Sequence, residues 1–255
     1  LGVDGTNGLQ TEASYEELVK ISGNPRYVLN ITKWSTIDEH LHDVVDVLCP
    51  ECTGDITFII ETSERIGYEG VEEIKTAVIN IANKLSIGKE ESRVALVHFS
   101  SPDERSDVLY YLSDTTSNVD FDNGVRKLDW TKVAGISDLE LGLKIANDKV
   151  VGKNGARENS PEIVVLFARG VWDQSLPEPW DQVSKLQQSS TIYSVRAPSI
   201  DYNDDVLKRI SGNNRFYTMD NYMDVATDVN KQIFSCRETS TTAPPSTTTT
   251  HTPFP

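Results

Sequence analysis

Two short polar segments follow apolar runs of the sequence, and they carry side chains that could bind charged groups. The segment 61–65 (Glu-Thr-Ser-Glu-Arg) follows one run, and the segment 168–170 (Ala-Arg-Gly) follows another. Neither segment contains a phosphate loop of the Gly-x-Gly-x-x-Gly or Gly-Lys-Ser type, so nucleotide binding lacks its physical basis. No set of Ser, His and Asp gathers there either, which argues against triad catalysis. The carboxylate, hydroxyl and guanidinium groups that remain favour ion pairing or the binding of a charged partner.

The surrounding sequence alternates between strand patterns and helix patterns. The run Asp55–Glu61 is apolar and rich in β-branched residues, as expected for a strand buried on both faces. Apolar residues between Val71 and Leu85 recur at helical spacing, which predicts an amphipathic helix. The other predicted strands cover 93–99, 108–112, 163–167, 191–195 and 216–219, and the other predicted helices cover 118–128, 139–150, 180–186, 204–210 and 220–234.

This alternation predicts an α/β fold with a doubly wound, mostly parallel central sheet and helices on both of its faces. Sheets of this kind place their functional sites beyond the C-terminal ends of the strands. The two polar segments follow the first and the fourth predicted strand. They therefore lie where this fold puts its chemistry.

Three separated motifs give the chain a resemblance to a known family. Residues 58–67 (Phe-Ile-Ile-Glu-Thr-Ser-Glu-Arg-Ile-Gly) resemble an apolar strand followed by Asp-x-Ser-x-Ser and Ile-Gly. Residues 135–143 resemble Gly-x-Thr-x-x-x-x-Gly followed by an apolar residue, and residues 165–170 resemble an apolar strand that ends in Thr-Asp-Gly. In this order, the motifs are similar to the metal-ion-dependent adhesion site of the von Willebrand factor type A family. The resemblance covers residues 55–235 and implies the doubly wound fold predicted above.

The positions that the resemblance assigns to metal ligands have changed in this chain. Glu61 stands for the first Asp of the family motif, Arg65 for its second Ser, Ser137 for its Thr and Arg169 for its last Asp, and only Ser63 is unchanged. Mg²⁺ needs oxygen ligands in near-octahedral geometry, which a guanidinium cannot supply and which its charge opposes. We therefore expect a degenerate site with no bound metal and no other cofactor, in which Glu61 and Arg169 form an ion pair.

Two interpretations of this ion pair remain open. In the first, the pair only stabilises the degenerate site. In the second, Arg65 or Arg169 receives a carboxylate of a partner protein, in place of the metal. Trp172, in the loop just after Arg169, is the tryptophan best placed to help such a binding face.

A long-period repeat indicates tandem domains. Residues 15–24 (Tyr-Glu-Glu-Leu-Val-Lys-Ile-Ser-Gly-Asn) recur with conservative changes at residues 204–213 (Asp-Asp-Val-Leu-Lys-Arg-Ile-Ser-Gly-Asn). A separation this long fits tandem domains rather than a solenoid. The predicted organisation is the end of a preceding type A domain at 1–49, a short linker at 50–54, a complete domain at 55–236 and a linker rich in Thr, Ser and Pro at 237–255. Further domains are expected on both sides.

The cysteines and one sequon bear on the compartment. Cys52 precedes the first strand of the complete copy and Cys236 follows its last helix, so we expect a disulfide between them, although free cytosolic thiols are the alternative. Asn30 begins an Asn-Ile-Thr sequon for N-glycosylation. This sequon and the tail from Thr239 to Pro255, which is nearly all Thr, Ser and Pro, favour a secreted protein or the extracellular face of a cell.

The composition excludes some partners. The net charge is −15, from 24 basic and 39 acidic residues, and a chain without a basic stripe is a poor ligand for nucleic acid or for an anionic membrane. No apolar run is long enough to insert in a membrane. The leading hypothesis is an extracellular module for adhesion through a protein ligand, with no catalysis. The alternatives are an intracellular scaffold with this fold and a nucleotide-binding or enzymatic doubly wound domain.

Overall fold

The structure, a computed structural model, describes residues 53–101, 106–127, 135–158 and 160–239, with side chains as far as residue 234. The predicted domain fragment at 1–49, the sequon at Asn30, Cys52 and the side chain of Cys236 lie outside the described residues, as does most of the predicted linker at 237–255. In the described part of the chain, no helix is both long and apolar enough to span a bilayer.

Strands and helices alternate along the described residues. The strands are β1 (Asp55–Glu61), β2 (Arg93–Phe99), β3 (Asp107–Tyr110), β4 (Glu162–Ala168), β5 (Thr191–Arg196) and β6 (Phe216–Thr218). The α-helices are α1 (Gly67–Ala82), α2 (Asn118–Lys127), α3 (Leu139–Lys149), α4 (Trp180–Ser189), α5 (Asp204–Ser211) and α6 (Met223–Thr239).

The strands form one sheet in the order β3-β2-β1-β4-β5-β6. All neighbouring strands are parallel except β3, which runs antiparallel to β2. From β1 the chain first adds strands on one side of the sheet, and from β4 it adds them on the other. The loops after β1 and β4 therefore diverge and leave a crevice at the C-terminal edge. The predicted mostly parallel, doubly wound fold is confirmed.

Helices cover both faces of the sheet because successive strand residues point to opposite sides. In β1, which is buried along its whole length, Phe58 stacks on Phe121 of α2 with ring centroids 5.9 Å apart. The next residue, Ile59, instead belongs to a core cluster with Leu143 of α3 and Leu186 of α4. A strand buried on both faces explains why its sequence is a continuous apolar run rather than an alternating one.

A buried charge cluster lies at the N-terminal edge of the sheet. Asp55, the fully buried first residue of β1, accepts hydrogen bonds from Nε, Nη2 and the backbone N–H of Arg157 at 2.6–2.9 Å. Asp55 is in register with Glu162 at the start of β4. Oε1 of Glu162 accepts a hydrogen bond from the backbone of Gly152, whereas its Oε2 is buried and finds no partner in the described part of the chain. Burial, reinforced by the charge of Asp55, raises the pKa of the Glu162 carboxyl to about 7.

This raised pKa makes the stability depend on pH. The folded state holds the Glu162 proton more tightly than the unfolded state, so the stabilisation is complete below the ordinary pKa of 4.5 and is lost as the pH rises through about 7. Glu162→Gln keeps an acceptor for Gly152 and stays neutral. We expect the variant to be more stable than the wild type by about 1 kcal/mol at pH 8, a value discounted for partial exposure, and nearly equal to it at pH 5.

Urea unfolding at the two pH values measures this difference. The matched control is Glu158→Gln, which removes a charge from an exposed neighbouring carboxylate. The same stability change at pH 5 and pH 8 in the Glu162 variant would contradict the assigned role of Glu162.

Candidate functional site

A buried ion pair fills the crevice between β1 and β4. Glu61 ends β1 and is 0% exposed, and Arg169 follows the end of β4 and is 3% exposed. Nε of Arg169 lies 2.8 Å from Oε1 of Glu61, and the backbone N–H of Arg169 donates to Oε2 at 2.9 Å. The ion pair that the sequence predicts is therefore present. It links the loops after the two strands that border the crevice.

A second carboxylate, which the sequence analysis missed, also binds Arg169. Nη1 of Arg169 lies 3.1 Å from Oδ2 of Asp201, whose side chain is 55% exposed, and 3.4 Å from its backbone oxygen. The carbonyl of Arg169 accepts a hydrogen bond from the backbone of Asn203. Asp201 and Asn203 lie in the loop after β5, the strand next to β4. Because the carboxyl ends of parallel strands share one edge, the loop after β5 also lies at the site.

Ser63 completes the surroundings of the Glu61 carboxylate. Its hydroxyl donates to Oε1 of Glu61 at 2.7 Å, so that oxygen accepts from both Ser63 and Arg169. The backbone oxygen of Ser63 in turn accepts from Ile66, just before α1. The one ligand position unchanged from the family motif thus orients a carboxylate within the protein.

The loop before α3 brings Ser137 to the same edge. Gly135 has a φ of +86°, and a Cβ there would lie 1.7 Å from the backbone oxygen of Ser101, so only glycine fits. The carbonyl of Gly135 accepts a hydrogen bond from the backbone of Glu64, which ties the loop to the segment after β1. The hydroxyl of Ser137 is buried and has no hydrogen-bond partner among the residues that the structure describes.

The groups at this edge do not fit a divalent cation. Both oxygens of Glu61 already accept hydrogen bonds, and a guanidinium lies beside them. Mg²⁺ would need those oxygens, and it would be repelled by Arg169. Among the described residues, no group of three or more His, Cys, Asp and Glu side chains could hold a metal ion.

The three residues proposed to contact a partner differ in accessibility. Arg65 is exposed, in the loop after β1. Arg169 is buried between two carboxylates, which favours the stabilising role for its guanidinium over direct contact with a partner. Trp172 is half-buried and packs edge-on against Trp180 at 6.0 Å between centroids, while the guanidinium of Arg209 covers Trp180 at 3.6 Å.

Exposed apolar side chains concentrate at this edge of the sheet. The described residues include five exposed large hydrophobic side chains, and four of them lie in its loops or in the first turn of α1: Tyr68, Ile136, Ile200 and Tyr202. Ile200 is fully exposed and Tyr68 is 60% exposed. The fifth, Val119, lies in the first turn of α2. Sequence analysis missed these residues because exposure depends on how the loops are placed.

The sequence model of the von Willebrand factor type A domain matches residues 55–232. The human collagen alpha-6(VI) chain is 25% identical over 192 residues, which cover 72% of this chain and 8% of that protein. Bovine cochlin (Bos taurus) is 31% identical over 121 residues, covering 47% of this chain and 21% of that protein, and chicken matrilin-3 (Gallus gallus) is 24% identical over 149 residues, covering 57% and 30%. The chain thus spans less than a third of the length of each of these relatives.

Solved structures show the same fold. Proximal thread matrix protein 1 from the mussel byssus superimposes with a TM-score of 0.59 at 22% identity, covering 87% of this chain and 57% of that one. The manganese-loaded Plasmodium vivax TRAP protein superimposes with a TM-score of 0.57 at 16% identity, covering 68% of this chain and 71% of that one.

Proposed function

The chain belongs to the von Willebrand factor type A domain family, and from this membership we propose that it is an extracellular module for protein–protein adhesion that acts without a metal ion and without catalysis. The relatives that it matches include collagen VI chains, cochlin and matrilin-3, which supports adhesion in the extracellular matrix. The same relatives support a secreted protein.

One observation carries the proposal: the C-terminal edge of the sheet combines exposed apolar side chains with an exposed cation. Tyr68, Ile200 and Tyr202 are exposed there, and Arg65 stands in the adjoining loop. Interfaces are enriched in aromatic residues and arginine relative to the rest of a protein surface. This composition supports a protein ligand, and the proposed contact lies at the loops around Arg169.

The charge at the centre of the site supports the proposed metal independence. Arg169 places a fixed positive charge against Glu61, where the family motif would hold a cation between carboxylate and hydroxyl ligands. The loops after β1, β4 and β5 are joined through Arg169 to Glu61 and Asp201. A covalently attached cation cannot be removed by chelation, so the surface keeps its shape in a chelator.

The predicted disulfide belongs to the same proposal. Residues close in sequence to the two cysteines pack against each other, because the side chain of Ile233 lies against Gly54, where a Cβ would be 2.9 Å from Cγ1 of Ile233. A bond between the two cysteines would close the ends of the domain, as suits an oxidising compartment. The glycosylation of Asn30, the preceding type A domain and the flanking domains remain parts of the proposal.

Chelation tests the proposed function directly. The immobilised chain is incubated with an extracellular-matrix extract of its source tissue, in Mg²⁺ and in EDTA, and the captured proteins are quantified by mass spectrometry. We expect the same specific partner in both buffers, with amounts equal within about twofold, because no exchangeable ion contributes to the surface.

A double variant locates the contact. Ile200→Ser with Tyr202→Ser should reduce the capture of that partner by about tenfold or more, since truncating central interface anchors typically costs 2 kcal/mol or more, roughly 30-fold. The matched control is Val119→Ser, which removes an exposed apolar side chain from α2. The proposal fails if nothing specific is captured or if EDTA abolishes the capture.

A further inference from the structure

A polar cleft of about 320 Å³ opens between α6 and the turn Asn213–Arg215. Because this turn precedes the parallel strand β6, the cleft lies toward the N-terminal edge of the sheet, away from the candidate functional site. Its volume is at the lower end of the range for small-molecule sites, so it fits one sugar-sized ring rather than a long segment of a partner. The residues that line it are Tyr193, Asn214, Arg215, Asp228, Lys231 and Gln232.

Buried tyrosines of β5 and β6 hold one wall of the cleft in place. Tyr193 is 3% exposed, and its hydroxyl donates to the backbone oxygen of Asp228 on α6 at 3.2 Å. Tyr217 is also buried, and its hydroxyl donates to Oδ2 of Asp228. Lys231 pairs with Oδ1 of the same carboxylate at 2.8 Å. Both oxygens of Asp228 are therefore occupied, and this wall is oriented before a ligand binds.

The opposite wall is the turn that carries Arg215. The backbone N–H of Arg215 donates to the carbonyl of Gly212 at 3.1 Å, and Nη1 donates to the backbone oxygen of Ser211 at 3.3 Å. The side chain is exposed, and within the described residues most of its guanidinium donors are left for a ligand. Burial raises the pKa of the Tyr193 hydroxyl to about 12, and the charge of Arg215 opposes this rise, so that charge acts on the cleft.

The charges of the lining favour a ligand with a single negative charge. Arg215 and Lys231 are positive and Asp228 is negative, so the lining carries a net charge of +1, whereas the whole chain carries −15. A ligand with several sulfate groups would find one uncompensated cation here and would be repelled by the rest of the chain. A single carboxylate instead matches a guanidinium, which binds it through two parallel hydrogen bonds.

The amides of the lining favour a ligand that also carries hydroxyl groups. Asn214 is exposed in the turn, and Gln232 lies on α6. A side-chain amide offers both donors and an acceptor, as a hydroxyl group does, so the two are matched. A carboxylate beside several hydroxyl groups is the chemistry of an acidic sugar. An apolar ligand would instead cover these polar groups without binding them.

We propose that this cleft is a second binding site and that it binds one carboxylated sugar ring of a glycan. The carboxylate pairs with Arg215, and the ring hydroxyl groups bond to the amides of Asn214 and Gln232. Two sources present such a ring: a glycoprotein that ends in sialic acid and a polysaccharide that contains hexuronate. The site goes beyond the proposed adhesion function, because it uses none of the loops that follow β1, β4 and β5.

An NMR titration of the ¹⁵N-labelled full chain tests the proposal, with 3′-sialyllactose, methyl β-glucuronide and lactose as the probes. We expect a carboxylated sugar to produce saturable shifts in the amide signals of Asn214, Arg215 and Gln232, and we expect lactose to produce none. Binding of sialyllactose alone identifies a glycoprotein terminus as the source, and binding of the glucuronide alone identifies a uronate polysaccharide. Binding of both supports the carboxylated ring as the shared determinant.

Two variants locate the sugar. Arg215→Gln should weaken binding about tenfold or more, because the carboxylate loses its countercharge. Arg215 also bonds to Ser211, so Asn214→Asp provides an independent test at an exposed residue. It places a second carboxylate in the cleft and should weaken binding by a similar factor through repulsion. Arg126→Gln, which alters an exposed arginine on α2, is the control and should bind as the wild type does.

Three results would overturn the inference: no binding of either carboxylated sugar, equal binding of lactose, or unchanged affinity in Asn214→Asp. Tighter binding of a heparin hexasaccharide at the same amides would also overturn it, because several charges rather than one carboxylate would then be recognised. The proposed adhesion function stands or falls separately, since its test depends on Ile200 and Tyr202 at the other edge of the sheet.

Discussion

Arg169→Met is expected to lower the free energy of unfolding by about 3–5 kcal/mol, because it leaves the Glu61 carboxylate buried without its countercharge. Glu61 is 0% exposed, so water cannot replace the guanidinium. The remaining donors to the carboxylate are the hydroxyl of Ser63 and the backbone N–H of residue 169. These two neutral hydrogen bonds cannot offset the cost of an unpaired buried charge.

Two further variants separate the loss of charge from the loss of packing. Glu61→Gln combined with Arg169→Met removes both charges and keeps an oxygen acceptor, so it should recover most of the lost stability. Arg126→Met breaks an exposed ion pair with Asp122 on α2 and should cost less than about 0.5 kcal/mol. Urea unfolding at pH 7 gives all three values. A loss below about 1 kcal/mol for Arg169→Met, or a double variant no more stable than the single one, would contradict the assigned role of the pair.

The fold and the centre of the site were predictable because both leave strong local patterns. β1 has the bounds that its apolar run predicts, Asp55–Glu61, since a strand buried on both faces admits few polar residues. The pair of Glu61 and Arg169 was predictable because each residue follows a strand that a doubly wound sheet brings to the crevice. Arg169 stands where the family motif has a carboxylate, and this change predicts that a positive charge of the protein takes the place of the metal ion.

Helix ends were less predictable because side chains and turns compete with the helix there. The last helix was predicted to begin at Asp220, but α6 begins at Met223. Oδ1 of Asn221 accepts a hydrogen bond from the backbone N–H of Thr218, and this contact forms a separate turn before the helix. The helix that the sequence predicts to end near Leu85 is α1, which already ends at Ala82. Leu85 lies in the turn that follows α1 and is buried there.

The contacts that depend on register and loop placement could not be read from the sequence. Nothing local to Glu162 reveals that it lies opposite Asp55 in a neighbouring strand, 107 residues away along the chain. Arg157 and Asp201 lie in loops without a motif, and the fold brings each of them to a partner that is distant in sequence or carries no local signal. These are tertiary contacts with no short-range signal.

Arg157→Met is expected to lower the free energy of unfolding by about 2–4 kcal/mol at pH 8. Asp55 is fully buried, and the substitution leaves it only the backbone N–H of residue 157. The side chain of Arg157 also donates to the backbone oxygens of Gly54 and Glu91, which would lose those partners. Because Arg157 is partly exposed, water can enter the vacated space, and the loss is smaller than for Arg169.

The stability lost in Arg157→Met should also depend on pH, and Glu162 determines the direction of this dependence. Arg157 lowers the pKa of Glu162 and Asp55 raises it, so removing Arg157 moves this pKa above about 7. At pH 8 the variant must either ionise Glu162 beside an unpaired Asp55 or keep Glu162 protonated, and both states cost free energy. At pH 5 Glu162 is already neutral, so this cost is absent. The destabilisation should therefore be larger at pH 8 than at pH 5, and Glu162→Gln in the Arg157→Met background should reduce the difference.

Urea unfolding of the wild type, Arg157→Met, Glu162→Gln and the double variant at both pH values measures this coupling as a double-mutant cycle. Lys149→Met is the matched control, because it breaks an exposed ion pair with Asp107 whose N–O distance of 2.9 Å is comparable to that of the Arg157–Asp55 pair. This control should change the free energy of unfolding by less than about 0.5 kcal/mol. A loss for Arg157→Met that is equal at pH 5 and pH 8 would show that Glu162 does not sense Arg157. In the expected case, the two edges of one sheet each depend on a buried carboxylate and its arginine, and at the N-terminal edge this dependence varies with pH through Glu162.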